Sequence, residues 1–241
     1  MSRTLLEIRT QIKDDLDLNE ETFVDDSDLD RWINDAIEMA EAEIHSLYED
    51  YFLDSVTVPI ARNDNTVDYP SNIYGNKIRK IIYRESLTDF NSVSHEVMRE
   101  KDIIRAEALD IYNTDTQNPI LRWVPINSAT TGRTIRLYPK TSRDGFLVIY
   151  YIRNANRLSL DTDVCDIDEY SRYIIQAVKT QVFLKDGDPR TQESKVLEDQ
   201  LKGEMIESLS NMTPDNNDEI ELDMSHYDDM VGGYYRDYGD H

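Results

Sequence analysis

The chain opens with two stretches of helical periodicity. From residue 5 onward, apolar side chains recur at spacings of three and four, which is the pattern of an amphipathic helix. A longer stripe of the same kind follows the polar interval 19–26 and predicts a second helix of about six turns. The apolar residues are Leu5, Ile8, Ile12 and Leu16 in the first stripe, and Leu29, Ile33, Ala36, Ile37, Ala40, Ile44, Leu47 and Tyr51 in the second. Two antiparallel helices are therefore expected.

The second helix carries a start signal at Ser27. This residue is the expected N-cap, because Asp30 three positions later completes a short-armed version of the capping box. Asp26 and Asp28 also place negative charge at the positive end of the helix dipole. The helix is therefore predicted to begin immediately after Ser27.

Alternation of apolar and polar residues replaces the helical period after Asp54. Residues 55–61 are a predicted strand, residues 62–65 a turn, and residues 66–69 a returning strand that Pro70 ends. Further strands are expected at 77–83, 120–126, 134–138 and 146–152, with turn signals at Gly132, Pro139 and Gly145. One helix is expected between them, from Ser94 to Leu109, with Val97, Ile104 and Ala108 on one side.

Helical periodicity returns at Asp168. One helix is expected up to a break at 186–189, and a second from about 191 to 211, weakened slightly by Gly203. The first stripe contains Tyr170, Ile174, Ala177, Val178, Val182 and Phe183, and the second contains Val196, Leu197, Leu201, Met205 and Leu209.

These elements predict an α+β fold. N- and C-terminal helices form one bundle, a small antiparallel β-sheet or barrel is inserted between them, and an extended tail follows. The expected divisions are 1–54 for the N-terminal helices, 55–165 for the β-rich insertion with one helix, 166–211 for the C-terminal helices and 212–241 for an acidic, tyrosine-rich tail. The tail has no period and is expected to be disordered in the free subunit.

Charge is unevenly distributed along the chain. The net charge is −23, from 26 basic and 49 acidic residues. Residues 1–54 carry −13, residues 55–165 carry +2, residues 166–211 carry −4 and residues 212–241 carry −8. Because binding to a phosphate backbone needs a basic patch, direct gripping of nucleic acid is not expected. No apolar run reaches the roughly 18 residues of a membrane span, and the acidic start is unlike a secretory signal.

Few residues are candidates for catalysis or for binding a metal or cofactor. The histidines His45, His95, His226 and His241 are not at metal-ligand spacing, and we expect His45 and His95 to be surface or semi-buried helix residues. Cys165 stands alone and is expected to be a small filler in a reducing cytoplasm. No nucleophile elbow or glycine-rich phosphate loop is present. The sequence therefore predicts no catalytic, cofactor or metal site, although the separation of paired carboxylates is a three-dimensional quantity that sequence leaves open.

Two further features have a structural and a functional interpretation. The acidic loop 161–168 superficially resembles a calcium loop, but Asp166 stands where the turn glycine belongs, so a solvated, helix-capping loop is predicted. Trp32 and Trp123 are expected to be packing residues. The tail tyrosines are instead expected to bind a partner, because an aromatic ring with one polar end is effective at interfaces. They are Tyr227, Tyr234, Tyr235 and Tyr238.

Several segments, in order, resemble the head-to-tail adaptor (connector) family of tailed bacteriophages, especially those of short-tailed phages. TLLEIRTQIKDDL at 4–16 looks like that family's first helix, and LDRWINDA at 29–36 like its second. VDYP at 67–70 with IRKI at 78–81 resembles a family passage that has one more residue between Tyr and Pro. IRLYPK at 135–140 and LVIYY at 147–151 resemble its strands. The resemblance covers about residues 4–210.

This resemblance implies a non-enzymatic structural protein in the neck of the virion. Such proteins form a ring, commonly of twelve subunits, below the portal; they receive tail or nozzle proteins and let the genome pass without specific binding. Assembly would take place in the host cytoplasm, and C-terminal segments would reach the portal. Two alternatives remain open: a virion-associated cell-wall hydrolase that uses carboxylates, and an acidic module that binds a basic host protein.

Overall fold

A computed structural model describes residues 2–18, 23–89, 92, 94–100, 104, 121–130 and 132–212. Among these residues the chain runs through two helices, eight strands and two more helices. The helices are α1 (Leu5–Leu16), α2 (Asp26–Leu47), α3 (Ser171–Asp186) and α4 (Thr191–Met212). The predicted α+β class is confirmed. The predicted tail lies, after Met212, outside the described residues.

Helices α1 and α2 form an antiparallel pair. Arg9 contacts Asp30 while Lys13 contacts Asp26, so positions rise along one helix as they fall along the other. The start of α1 is fixed by a capping box, in which Thr4 accepts the Glu7 N–H and Glu7 accepts the Thr4 N–H. Both apolar stripes face the bundle interior, as predicted.

The prediction that Ser27 caps α2 is wrong. The N-cap is Asp25, whose carboxylate accepts the Asp28 N–H at 2.8 Å. Ser27 instead donates its hydroxyl to the same carboxylate, from within the first turn. The longer reach and full charge of Asp25 make it the better acceptor for the free amides at the helix start.

Helices α3 and α4 complete the bundle. Gly187 ends α3 with a left-handed backbone, at φ 71°, a conformation that glycine adopts without steric cost. On α4 the buried residues are Ser194, Leu201, Met205 and Leu209. Val196 and Leu197, predicted to belong to the same stripe, are 62% and 43% exposed. The predicted apolar stripe of α4 is therefore correct only from Leu201 onward. In the first turns of α4 the residue that faces the bundle is polar, namely Ser194.

The strands form two sheets rather than a barrel. The strands are β1 (Leu53–Ile60), β2 (Thr66–Asp68), β3 (Ile73–Arg84), β4 (Ser94–Glu96), β5 (Met98–Arg99), β6 (Arg122–Ser128), β7 (Gly132–Tyr138) and β8 (Gly145–Arg153). The first sheet has the order β1-β8-β3-β4 and the second the order β2-β7-β6-β5. All pairs are antiparallel except β5 with β6.

Two predictions in this region are wrong. Strand β2 does not return along β1; it pairs with β7, while β1 pairs with β8. Residues Ser94–Arg99 form β4 and β5 rather than the start of a helix, because Val97 between them is buried in the sheet core. Of the remaining residues of that predicted helix, only Glu100 and Ile104 are described, and the Ile104 side chain is 75% exposed.

The described residues form two large hydrophobic cores. One lies among the four helices and includes Ile33, Ile44 and Ile174. The other lies between the two sheets, which pack face to face as a sandwich around residues such as Ile81, Trp123 and Ile149. Because Leu53 at the start of β1 is opposite Ile152 near the end of β8, the chain enters and leaves the sandwich at the same end. This pairing brings the N- and C-terminal helices into one bundle.

Candidate interaction site

The residues that sequence singled out for chemistry are separated in space. His45 is buried near the end of α2, whereas His95 is on β4 and not on a helix as predicted. The Cys165 thiol is buried, and burial raises its pKa to about 11. In the part of the chain that the structure describes, no group of three or more potential metal ligands comes together. His226, His241 and the four tail tyrosines lie outside the described residues.

A buried carboxylate joins the bundle to the segment that follows β8. Glu41 of α2 is 5% exposed, accepts the Ala155 N–H at 2.9 Å and lies 3.3 Å from Arg157 Nη2. Burial acts to raise the pKa of Glu41, but contacts with His45, the Ala155 amide and Arg157 outweigh it and lower the pKa below its usual value. Glu41 is therefore a charged anchor for the 154–158 segment.

Aromatic rings fill the space beside this anchor. The His45 ring stacks on Tyr74 of β3 with 3.7 Å between centroids, and lies 5.2 Å from the ring of Phe52. The Lys77 ammonium is 4.9 Å from the Tyr74 ring centroid, and the Arg153 guanidinium is 5.2 Å from that of Phe52. These contacts combine ring packing with cation–π attraction where the bundle meets the sandwich.

A bulge in β3 places two basic side chains, Lys77 and Arg79, where the bundle meets the sandwich. Ile78 and Lys80 are opposite the consecutive residues Tyr151 and Tyr150, so Arg79 is an extra residue in the strand. Lys77 and Arg79 both donate to Glu49 in the turn after α2, and Arg79 also lies 2.9 Å from Asp50. The hydrogen bond from Lys77 is the main cause of a lowered pKa at Glu49. We call Glu41, His45, Glu49, Phe52, Tyr74, Lys77, Arg79, Arg153, Ala155 and Arg157 the junction.

A second ionic centre surrounds Arg9. Its guanidinium makes a two-point contact with Asp30 and lies 3.1 Å from Asp161 and 3.8 Å from Asp26. The side chain is only 10% exposed, so the arrangement fixes α1, α2 and the 159–168 loop together. Sequence reasoning missed both Arg9 and Glu41. The available signal was their position: each is a charged residue next to the apolar stripe of its helix.

The contacts made by the acidic loop 161–168 differ from those predicted. Asp163 accepts the N–H groups of Ser159 and Leu160, and Asp166 contacts Arg153. Neither Asp168–Tyr170 nor α3 has a side-chain cap, so the loop does not cap the helix that follows it. It caps α1, because the Leu5 and Leu6 N–H groups donate to the backbone carbonyls of Asp163 and Asp161. The acids of this loop instead hold its turn and bind basic residues.

One face of the first sheet is apolar but lies outside the cores. Phe146, Val148 and Tyr150 of β8 and Ile82 of β3 point away from the sandwich interior, and we call them the outer sheet face. Within the described residues, none of the hydrophobic clusters includes them. An antiparallel sheet normally turns polar residues to solvent on such a face. Ile152, next on the same side of β8, is fully buried in the bundle core, so the face begins where the bundle ends.

The described residues thus form two units that are joined by the junction, differ strongly in net charge and include an apolar outer sheet face. The family described as SU10 adaptor protein matches residues 3–219, and the chain therefore belongs to this family of phage head-to-tail adaptors. The protein is accordingly a structural component of a phage virion. No curated protein matches the chain. None of the described helices has the length and hydropathy needed to cross a membrane.

Proposed function

We propose that this protein is a non-enzymatic ring subunit in the neck of a short-tailed phage. It assembles below the portal, commonly as twelve copies, and connects the portal to tail or nozzle proteins. The observation that carries the proposal is the match of an adaptor family to residues 3–219, which includes both the bundle and the sandwich.

The junction supports this proposal. A ring closes only if each copy holds its two contact surfaces at a fixed angle. Here Glu41 and the aromatic stack of His45 with Tyr74 restrain the bundle against the sandwich. Buried, hydrogen-bonded polar groups are costly to separate, so the angle between the two units is well determined. We also propose that residues 1–54 and 166–211 act as one unit and 55–165 as the other, with the last part of the second unit, from Ala155 to Cys165, packed in the helical core.

Charge supports passage of the genome without specific binding. The described bundle and its loops, residues 2–18, 23–54 and 154–212, contain 11 basic and 27 acidic residues, a net charge of −16. An acidic surface repels a polyanion, so DNA would slide along a channel lined by it. Basic residues of the sandwich would then serve contacts between proteins.

The tail supplies the proposed portal anchor. Tyr227, Tyr234, Tyr235 and Tyr238 follow the end of α4 in a segment that carries −8 over residues 212–241. Tyrosine contributes strongly to interfaces because its ring buries apolar area while its hydroxyl keeps a hydrogen bond. The subunit would be made in the host cytoplasm and join the portal there.

The direct test is association with the portal of the same phage. Full-length protein should bind purified portal in sedimentation velocity, and virion microscopy should place its density between capsid and tail. Failure to associate at any salt concentration would refute the proposal. Deleting residues 213–241 should weaken binding by about tenfold or more, the loss expected for interface aromatics. A variant with the four tyrosines changed to serine keeps the tail charge and should lose binding similarly; unchanged binding removes the anchor role.

A further inference from the structure

The outer sheet face has the properties of a buried interface rather than of a free surface. Its four side chains form a continuous patch, because Phe146, Val148 and Tyr150 are alternate residues of β8 and Val148 is opposite Ile82 on β3. Val148 is buried and the other three side chains are half-buried. A contiguous apolar patch with a polar rim commonly marks a protein-binding site.

Basic residues rim this patch. Lys80 and Arg84 flank Ile82 along β3 on the same side of the sheet. Lys80 contacts Glu96, but the Nε atom of Arg84 is buried and has no hydrogen-bond partner among the described residues. The positive charge of the two side chains, rather than this buried atom, is what an acidic surface of another molecule would complement.

The subunit as a whole has opposite charges at its two ends. The described residues of the sandwich, within 55–153, contain 12 basic and 7 acidic residues, a net charge of +5. The bundle has the opposite sign, as described above. On the exposed side of α2, Asp35 and Glu38 are next to Met39, which is 52% exposed. Thus α2 offers an apolar side chain between acids, and the outer sheet face offers an apolar patch between bases.

We infer that the outer sheet face of one copy binds the exposed side of α2 in a second copy. This inference rests on the proposed ring function and specifies its subunit contact. The two surfaces differ, so the contact is head-to-tail, and repeated head-to-tail contacts produce a closed ring when the rotation allows. Met39 would pack against Tyr150 and Val148, while Asp35 and Glu38 would face Lys80 and Arg84.

Association of the full-length chain tests the contact. The variant with Phe146→Ser and Tyr150→Ser should lose self-association by about tenfold or more in sedimentation velocity, while its melting temperature stays near that of the wild type. The variant with Leu160→Ser, which changes a 64% exposed leucine elsewhere, is the matched control and should assemble normally. Equal assembly by the Phe146 and Tyr150 variant would overturn the inference.

Crosslinking tests which surface is the partner. A chain carrying both Met39→Cys and Tyr150→Cys should give a ladder of multimers with a bismaleimide, since each copy would be joined to two neighbours. Chains with either change alone should give no ladder, because one head-to-tail contact needs both residues; Cys165 is buried and should not contribute. No ladder from the double variant would overturn the inference. If wild-type protein stays monomeric with and without its portal, the proposed function falls as well; if only the variants behave unexpectedly, the ring function stands.

Discussion

Glu41, in the middle of α2, accepts the backbone N–H of Ala155 at 2.9 Å although 114 residues separate the two positions. The same carboxylate contacts Arg157, and both groups are close to the end of β8. This single side chain therefore fixes the exit of the sandwich to the helical bundle.

Neutralising Glu41 should destabilise the protein in a pH-dependent way. We expect Glu41→Gln to lower the free energy of unfolding at pH 7 by about 1.5–3 kcal/mol, the range for hydrogen bonds to a charged group. Because the pKa of Glu41 is lowered in the folded state, its contribution is present above the ordinary carboxyl pKa of about 4.3 and is lost as pH falls through the lower folded value. The difference from wild type should therefore narrow below about pH 4 in urea unfolding series.

The control for this experiment lies one turn away. Glu38 contacts the same Arg157 at 3.3 Å, but its side chain is 70% exposed. Glu38→Gln should change stability by less than about 0.5 kcal/mol, since solvent screens an exposed pair. Equal effects from both variants would contradict the role assigned to burial at Glu41.

Replacing a glycine by alanine should change stability in opposite directions at two positions, Gly145 and Gly203. At Gly145 a Cβ would be 2.7 Å from the Tyr83 ring and 2.8 Å from the Arg84 carbonyl oxygen, so Gly145→Ala should cost about 1–3 kcal/mol. At Gly203 of α4 a Cβ would meet nothing within 4 Å, and Gly203→Ala should stabilise by about 0.5–1 kcal/mol. Thermal unfolding by circular dichroism measures both, and a loss of stability at Gly203→Ala would contradict the exposure of that site.

Cys165 should be unreactive in the folded protein. Its side chain is fully buried and burial raises its pKa to about 11, so little thiolate forms at pH 8. A disulfide reagent such as DTNB should modify it at least about 100-fold more slowly in buffer than in guanidinium chloride. A variant with Ser46→Cys, at an exposed position of α2, should react at once. Rapid labelling of wild-type protein would show that the bundle opens around Cys165.

Truncating an apolar side chain to alanine should lower stability at a buried helix position but not at an exposed one. Ile33 is fully buried, so Ile33→Ala should cost about 2–5 kcal/mol. Val196 is 62% exposed, and Val196→Ala should change stability by no more than about 0.5 kcal/mol. Chemical denaturation curves of the two variants give the comparison. A large loss at Val196 would mean that α4 presents a different face to the bundle.

The local pattern of the sequence determined most helices and strands. The stripes beginning at Leu5 and Leu29 predicted α1 and α2, because periodicity reports which side of a helix is apolar. The continuous apolar run at 146–152 predicted β8. The order of these elements also gave the α+β class and the resemblance to adaptor proteins. Local signals failed at 94–99, where only Val97 and Met98 are apolar and so short a segment defines neither a helical nor a strand period.

The tertiary structure alone decided which elements pair and which charges are buried. The pairing of β1 with β8, the Arg9 contacts with Asp30 and Asp161, and the contact of Glu41 with Ala155 join residues that are far apart in the chain. The apolar outer sheet face also joins residues that are far apart in the chain. It can be recognised only once the residues that lie between the two sheets are known. The physical reason is that period and propensity act within one element, whereas burial and ion pairing depend on what another element places opposite it.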